Sequence, residues 1–274
     1  MKKILLLAVA SSLFLFSCKD DGTVTPGGDG TGNGSGFKTE QKQKSAGFYF
    51  SGNWCGPCGL YGKPALHNMS NKYGNDFAYI ACQLNGSGAT DPFNCADANS
   101  MAGAFGVSGV PTIQVGAAGD QFQAASGGTD METKLDGYLA ANKAKTPVAN
   151  IAVSYVLEDG AISVTTETEF FEETSDDYQI SVYLVESKLI ANQYVSGSGW
   201  AKDVEFNNVL RTKLSASVVG DAFPAGTKAK GHIETMTFGD FLQSTWKTEN
   251  LHVVAVLWKK NAQGKVAAVN ATIK

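Results

Sequence analysis

The chain has 274 residues, 22 of them Lys or Arg against 26 Asp or Glu, for a formal net charge of −4, and 43% are hydrophobic. That balance provides no basic face for nucleic acid, so no nucleic-acid partner is expected. The length allows two domains with separate cores, and the composition points neither to disorder nor to a membrane bundle.

The first stretch reads as a targeting sequence. Lys2 and Lys3 form a positive n-region, Ile4 to Phe16 is an apolar run too short to span a bilayer, and Leu15-Phe16-Ser17-Cys18 follows. This resembles a bacterial lipobox, which implies a lipoprotein signal over 1–18 and lipidation of Cys18. The other reading is a secretory signal in which Cys18 is a bystander. Lys19-Asp20-Asp21 resembles the export signal of surface lipoproteins in some Gram-negative bacteria. The expected location is therefore the cell envelope, as an outer membrane lipoprotein touching the membrane through its lipid, with surface display as a further reading. Residues 19–36 are Gly-rich and polar, with too little apolar surface to offset the entropy of ordering, and read as a flexible tether.

Residues 37–145 alternate strand and helix signals. Phe48-Tyr49-Phe50 and Phe77 to Cys82 read as buried strands, Leu60 to Tyr73 as an amphipathic helix kinked at Pro64, and Asp97 to Phe105 as a helix ended by Gly106. Pro111 to Val115 gives a short strand, a Gly-rich hairpin region follows, and Glu132 to Asn142 closes the region as a helix. The alternation predicts a sheet covered by helices on both faces.

Trp54-Cys55-Gly56-Pro57-Cys58 lies between the first strand and the first helix. That position places Cys55 at a helix N-terminus, where unpaired N–H groups and the helix dipole stabilise a thiolate. Cys55 is the candidate nucleophile, and Cys58, one turn on, is the candidate resolving thiol. Two other readings stand beside this one. Zinc would need two further ligands, and the sequence has neither a second C-x-x-C nor histidines at ligand spacing, so no metal is expected. A purely structural cystine is the stronger competitor, because extracytoplasmic chains use disulfides freely.

Taken with the later Gly109-Val110-Pro111-Thr112, the strand, motif and helix resemble the thioredoxin family over this whole region. The resemblance implies a cis Val110-Pro111 bond beside the active-site cystine, a docking edge formed by Trp54, Val110 and Pro111, and protein disulfides or dithiols as substrates, with a redox partner the sequence does not identify. No cofactor is implied, since the two sulfurs carry the electrons themselves. The family usually has a buried carboxylate in the strand before the motif. The matching residue here is Tyr49, whose phenol is a poor proton acceptor at neutral pH. An insertion over Leu84 to Ala96 is the second departure.

Five cysteines less Cys18 and the Cys55–Cys58 pair leave Cys82 and Cys95. A structural disulfide between them would pin the insertion near the site, and closing a loop of that length contributes roughly 3 kcal/mol. The competing reading is a buried free Cys82.

From 146 to 274, β-branched alternation replaces the helical signal. Ile151 to Val156 and Ile162 to Thr165 flank the turn Glu158-Asp159-Gly160. Tyr178 to Val185 and Leu251 to Trp258 read as further strands, and Lys260 to Gly264 turns the last into Val266 to Ile273. The expected fold is thus an α/β thioredoxin-like domain followed by an all-β antiparallel sandwich. Val182-Tyr183-Leu184-Val185-Glu186 and Asn207-Asn208-Val209-Leu210-Arg211 resemble the C-terminal half of the outer membrane protein twenty-eight-related family, whose members place a thioredoxin-like domain before such a β-domain.

The acidic group Glu167, Glu169, Glu172, Glu173, Asp176 and Asp177 lacks the ligand spacing of a calcium loop and reads as a solvated edge. Trp200, Trp246 and Trp258 could form a stacking surface, with core or rim packing as the plainer reading. His67, His232 and His252 are scattered and read as packing or surface residues. Two functions follow: a lipid-anchored thiol–disulfide oxidoreductase of unassigned direction, or a surface binding lipoprotein with a thioredoxin-like scaffold and a static Cys55–Cys58 bridge.

Overall fold

The computed structural model describes residues 40–116, 123–260 and 266–274. The signal segment, Cys18, the 19–36 tether and residues 261–264 of the last expected turn lie outside them. The first half contributes β1 (Ser45–Ser51), α1 (Lys63–Tyr73), β2 (Phe77–Gln83), α2 (Ala96–Ala104), β3 (Thr112–Gly116), β4 (Gln123–Ser126) and α3 (Met131–Lys143). The second half is built from strands: β5 (Ala149–Glu158), β6 (Ala161–Phe170), β7 (Asp177–Glu186), β8 (Leu189–Val195), β9 (Gly199–Phe206), β10 (Val209–Lys213), β11 (Asp221–Ala222), β12 (Ile233–Phe241), β13 (Leu251–Lys260) and β14 (Val266–Ile273). Most of the anticipated elements fall where the apolar periodicity put them. The β5–β6 turn is made as its sequence dictates, with Asp159 and Gly160 at φ 51° and 74°.

The architecture is mixed α/β. Among the described residues, one large mixed sheet has nine strands in the order β14-β13-β7-β10-β2-β1-β3-β4 with β11 beside β7, and two small antiparallel sheets accompany it, β12-β6-β5 and β8-β9. The expectation of a free-standing sandwich is corrected here. β5, β6 and β12 do pack on one face of β7 and β13, around Ile151, Val164, Phe170, Val182, Leu184, Val253 and Leu257. The opposite face of the same two strands, however, carries Tyr183, Val185, Val254, Val256 and Trp258, which join Phe48, Phe50 and Met101 in a second core. Strands apolar on both faces must be covered on both, and the first half supplies that cover: the Phe48 ring stacks on Trp258 at 5.7 Å.

The sheet crosses between halves at a single parallel register pair, Val209 with Ala81, where the Ala81 N–H donates to the Asn208 carbonyl at 2.8 Å. Asn270, fully buried, ties a second seam. Its amide donates to the Lys42 and Ala149 carbonyls at 3.0 and 2.9 Å, and its Oδ1 accepts from the Lys44 and Ala271 N–H groups, both at 2.9 Å. Every hydrogen-bonding position of that side chain is used.

No helix among the described residues is long and apolar enough to cross a membrane.

Candidate functional site

β1 runs parallel to β2 and antiparallel to β3 and delivers the chain at Ser51 to a tight turn. The Cys55 N–H donates to the Gly52 carbonyl at 3.0 Å. From Pro57 the backbone is helical, and it starts wide: Cys58–Gly62 is a π-type turn in which the Lys63 N–H reaches the Cys58 carbonyl. Pro64 falls in the first turn of α1, where its missing N–H is tolerated. Gly62 permits close packing here, since a Cβ there would lie 2.5 Å from the Tyr49 hydroxyl and 2.9 Å from Pro111.

Cys55 and Cys58 form a disulfide with Cα atoms 5.2 Å apart. Cys58 is fully buried and Cys55 is 4% exposed, but Cys55 lines an open cleft of about 570 Å³ together with Trp54, Gly86, Val107 to Val110 and Tyr194. The Cys58 N–H points at the Cys55 sulfur at 3.1 Å, an orientation that favours negative charge on that atom. The Val110-Pro111 bond is cis, as the resemblance implied, and the Val110 carbonyl oxygen lies 3.7 Å from the Cys55 sulfur. Trp54 is held by its indole N–H on the Leu84 carbonyl at 2.8 Å. Its ring is flanked by Gly52 and Gly86, where a Cβ would come within 2.4 and 2.8 Å of it. The residues singled out in the motif and in the later proline segment therefore meet in one corner.

Tyr49 is 1% exposed behind the cystine. Its hydroxyl accepts from Ser51 Oγ at 3.0 Å and faces the Cys58 carbonyl at 3.5 Å. Burial pushes the phenol well above its ordinary value, so it stays protonated and serves as a donor.

The Cys82–Cys95 disulfide is not formed; both are free thiols. Cys82 turns into the second core, 3.4 Å from the Met101 sulfur, while Cys95 faces the Leu210 carbonyl at 3.5 Å. Burial raises both thiols and keeps them protonated. The insertion is pinned instead by polar groups. The Asp91 carboxylate accepts from the Asn53 N–H at 2.6 Å and the Phe93 N–H at 2.8 Å, and the Asn94 amide donates to the Gln83 carbonyl at 2.9 Å. The elements that hold the motif from outside escaped the sequence reading. The β8–β9 hairpin lies on the turn, with the Gln193 amide donating to the Cys55 carbonyl at 3.0 Å and the Tyr194 N–H to the Asn53 carbonyl at 2.7 Å. The trace it left was slight: Gly59 directly after the motif, where a Cβ would sit 2.5 Å from the Tyr194 carbonyl.

Of the three tryptophans in the second half, Trp258 is core, with its N–H on Ser181 Oγ at 2.7 Å; Trp246 packs at the rim of the first core; and Trp200 is 55% exposed. Among the described residues no cluster of His, Cys, Asp and Glu could hold a metal ion. Asp176 of the acidic group pairs with Lys259.

Fold and site together define a mixed α/β protein with a C-x-x-C cystine at the end of a sheet strand, open to a cleft. Residues 98–273 match the family model described as Outer membrane protein Omp28, and the chain belongs to that family. Both motifs that suggested the family, 182–186 and 207–211, lie inside the match, whereas Cys55 and Cys58 precede it. No curated protein matches the chain at a significant level. Among solved structures, it is similar to protein AGR_C_4864 from Agrobacterium tumefaciens, with a TM-score of 0.49 and 14% identity over 85% of this chain and 95% of that one. Sporulation control protein Spo0M from Bacillus subtilis gives 0.24 and 13% over 45% and 47%. The structural-genomics target SoR45 gives 0.21 and 9% over 46% and 83%. Likeness at this level says nothing about activity.

Proposed function

We propose that this Omp28-family protein is a lipid-anchored thiol–disulfide oxidoreductase with a thioredoxin-like first half. One observation carries the reading: the Cys55–Cys58 disulfide opens into a cleft with the cis Val110-Pro111 bond at its edge. In the reduced protein the Cys55 thiolate attacks one sulfur of a partner's disulfide. That bond breaks, one partner thiolate leaves and takes up a proton, and a mixed disulfide remains. Cys58 then gives up its proton and attacks the Cys55 sulfur, releasing the second partner thiol and closing the Cys55–Cys58 bond. Two electrons and two protons pass to the partner, and the reverse sequence oxidises a partner dithiol. Trp54, Val110 and Pro111 form the docking edge. Cys18 carries the lipid, and the 19–36 tether holds the folded part off the outer membrane.

The test is the pH dependence of Cys55 alkylation in reduced protein, with a redox titration against glutathione. A thiol titrating well below about 8.5, with turnover of a disulfide peptide, is the expected result. An ordinary thiol and no turnover would establish the second reading, a binding lipoprotein with a static bridge, which the low exposure of Cys55 and the protonated Tyr49 favour. Fatty-acid labelling that survives Cys18→Ala would remove the anchor.

A further inference from the structure

The β8–β9 hairpin is seated on the exchange turn more closely than two-cysteine chemistry requires. Besides the Gln193 and Tyr194 contacts, the Ser196 N–H donates to the Gly56 carbonyl at 3.2 Å, and Asn53 Nδ2 donates to the Asn192 carbonyl at 3.2 Å. A Cβ on Gly56 would meet Ser196 Oγ at 2.5 Å, just as one on Gly59 would meet the hairpin backbone. The hairpin thus closes one flank of the cystine and leaves the cleft as the approach.

At the rim of that approach the hairpin presents aromatic surface to water. Tyr194 and its cross-strand partner Trp200 are 39% and 55% exposed, with rings edge to face at 5.5 Å. Paired aromatics left wet beside a recessed reactive group are what interface anchors look like. None of the described residues lining the cleft is charged, so a charged group entering it would lose water without gaining a counter-ion.

From these observations we infer that the hairpin tip is the selecting wall of the site. The cleft takes an extended, uncharged segment of another protein, with aromatic or apolar side chains beside its cysteine lying on Tyr194 and Trp200. The inference rests on the exchange reading of Cys55 and adds the class of partner to it.

The test is fluorescence anisotropy of short labelled peptides on the oxidised full chain, each carrying one S-methylated cysteine flanked by Phe and Leu, by Asp, or by Lys. The neutral peptide binds about tenfold tighter than either charged one, equivalent to about 1.4 kcal/mol. Tyr194→Ala and Trp200→Ala each weaken it about tenfold. Phe241→Ala, which removes an 80% exposed ring from β12, leaves it unchanged. Equal affinity for neutral and charged peptides, or undiminished affinity in the hairpin variants, overturns the inference. So does a dimer in sedimentation that Trp200→Ala dissolves, which would assign the aromatic pair to a second copy. Selective, Tyr194-dependent binding in a protein that turns over no disulfide supports the groove and removes the exchange reading alone.

Discussion

At β7 and β13 the large sheet is held by area, with Val182, Leu184, Val253 and Leu257 turned to one core and Tyr183, Val185, Val254 and Trp258 to the other. At the Cys55 corner of the same sheet the chain is held by point contacts: the Asp91 carboxylate, the Gln193 amide and a few backbone bonds across two glycines. Burial is non-directional and tolerates small shifts, whereas hydrogen bonds fix positions to fractions of an ångström. The first region supplies stability and the second supplies geometry, which is the division an exchange site needs.

Substitutions at the two regions should therefore separate. Cys55→Ser has the largest effect, reducing exchange with a disulfide peptide to background while far-UV circular dichroism is unchanged. Trp258→Ala should cost about 3–5 kcal/mol in denaturant unfolding, with the exchange rate per folded molecule retained; a selective loss of exchange would break the division. Gln193→Ala is a sharper probe of the corner. It removes the buried amide that bridges the Cys55 and Tyr194 carbonyls, for about 1–3 kcal/mol, and it should also change the alkylation rate of reduced Cys55, which Trp258→Ala should not.

A further comparison lies in pH dependence. Lys63 donates to the Glu205 carbonyl at 2.5 Å with its ammonium over the Phe206 ring. Burial lowers it from an ordinary 10.5 to about 8. Between those values the unfolded chain binds the more protons, so Lys63 makes unfolding free energy rise with pH from about 8 to 10.5. Chemical denaturation across that window should show the rise in wild type and a shallower one in Lys63→Met.

Much of the site was legible because its signals are local. Trp54 to Cys58, the strand before it and the helix after it are contiguous, and Pro111 is marked by its own chemistry. The second pair of cysteines shows where counting stops: an even number permits a bridge, but the sequence does not say that Cys82 points at the Met101 sulfur while Cys95, packed against the same core, turns to the Leu210 carbonyl.

The residues alone determined the order of elements in the first half, the C-x-x-C turn at a helix start and the proline beside it, since each depends on periodicity or on one residue's restricted backbone. Tertiary structure alone decided that both halves share a sheet and that a hairpin from the second half grips the turn of the first. Those unions rest on backbone groups that every residue carries, at Ala81 with Asn208 and at Asn53 and Gly56 with Tyr194 and Ser196, and on single side chains such as Gln193 and Asn270, none of which forms a periodic pattern that names its partner.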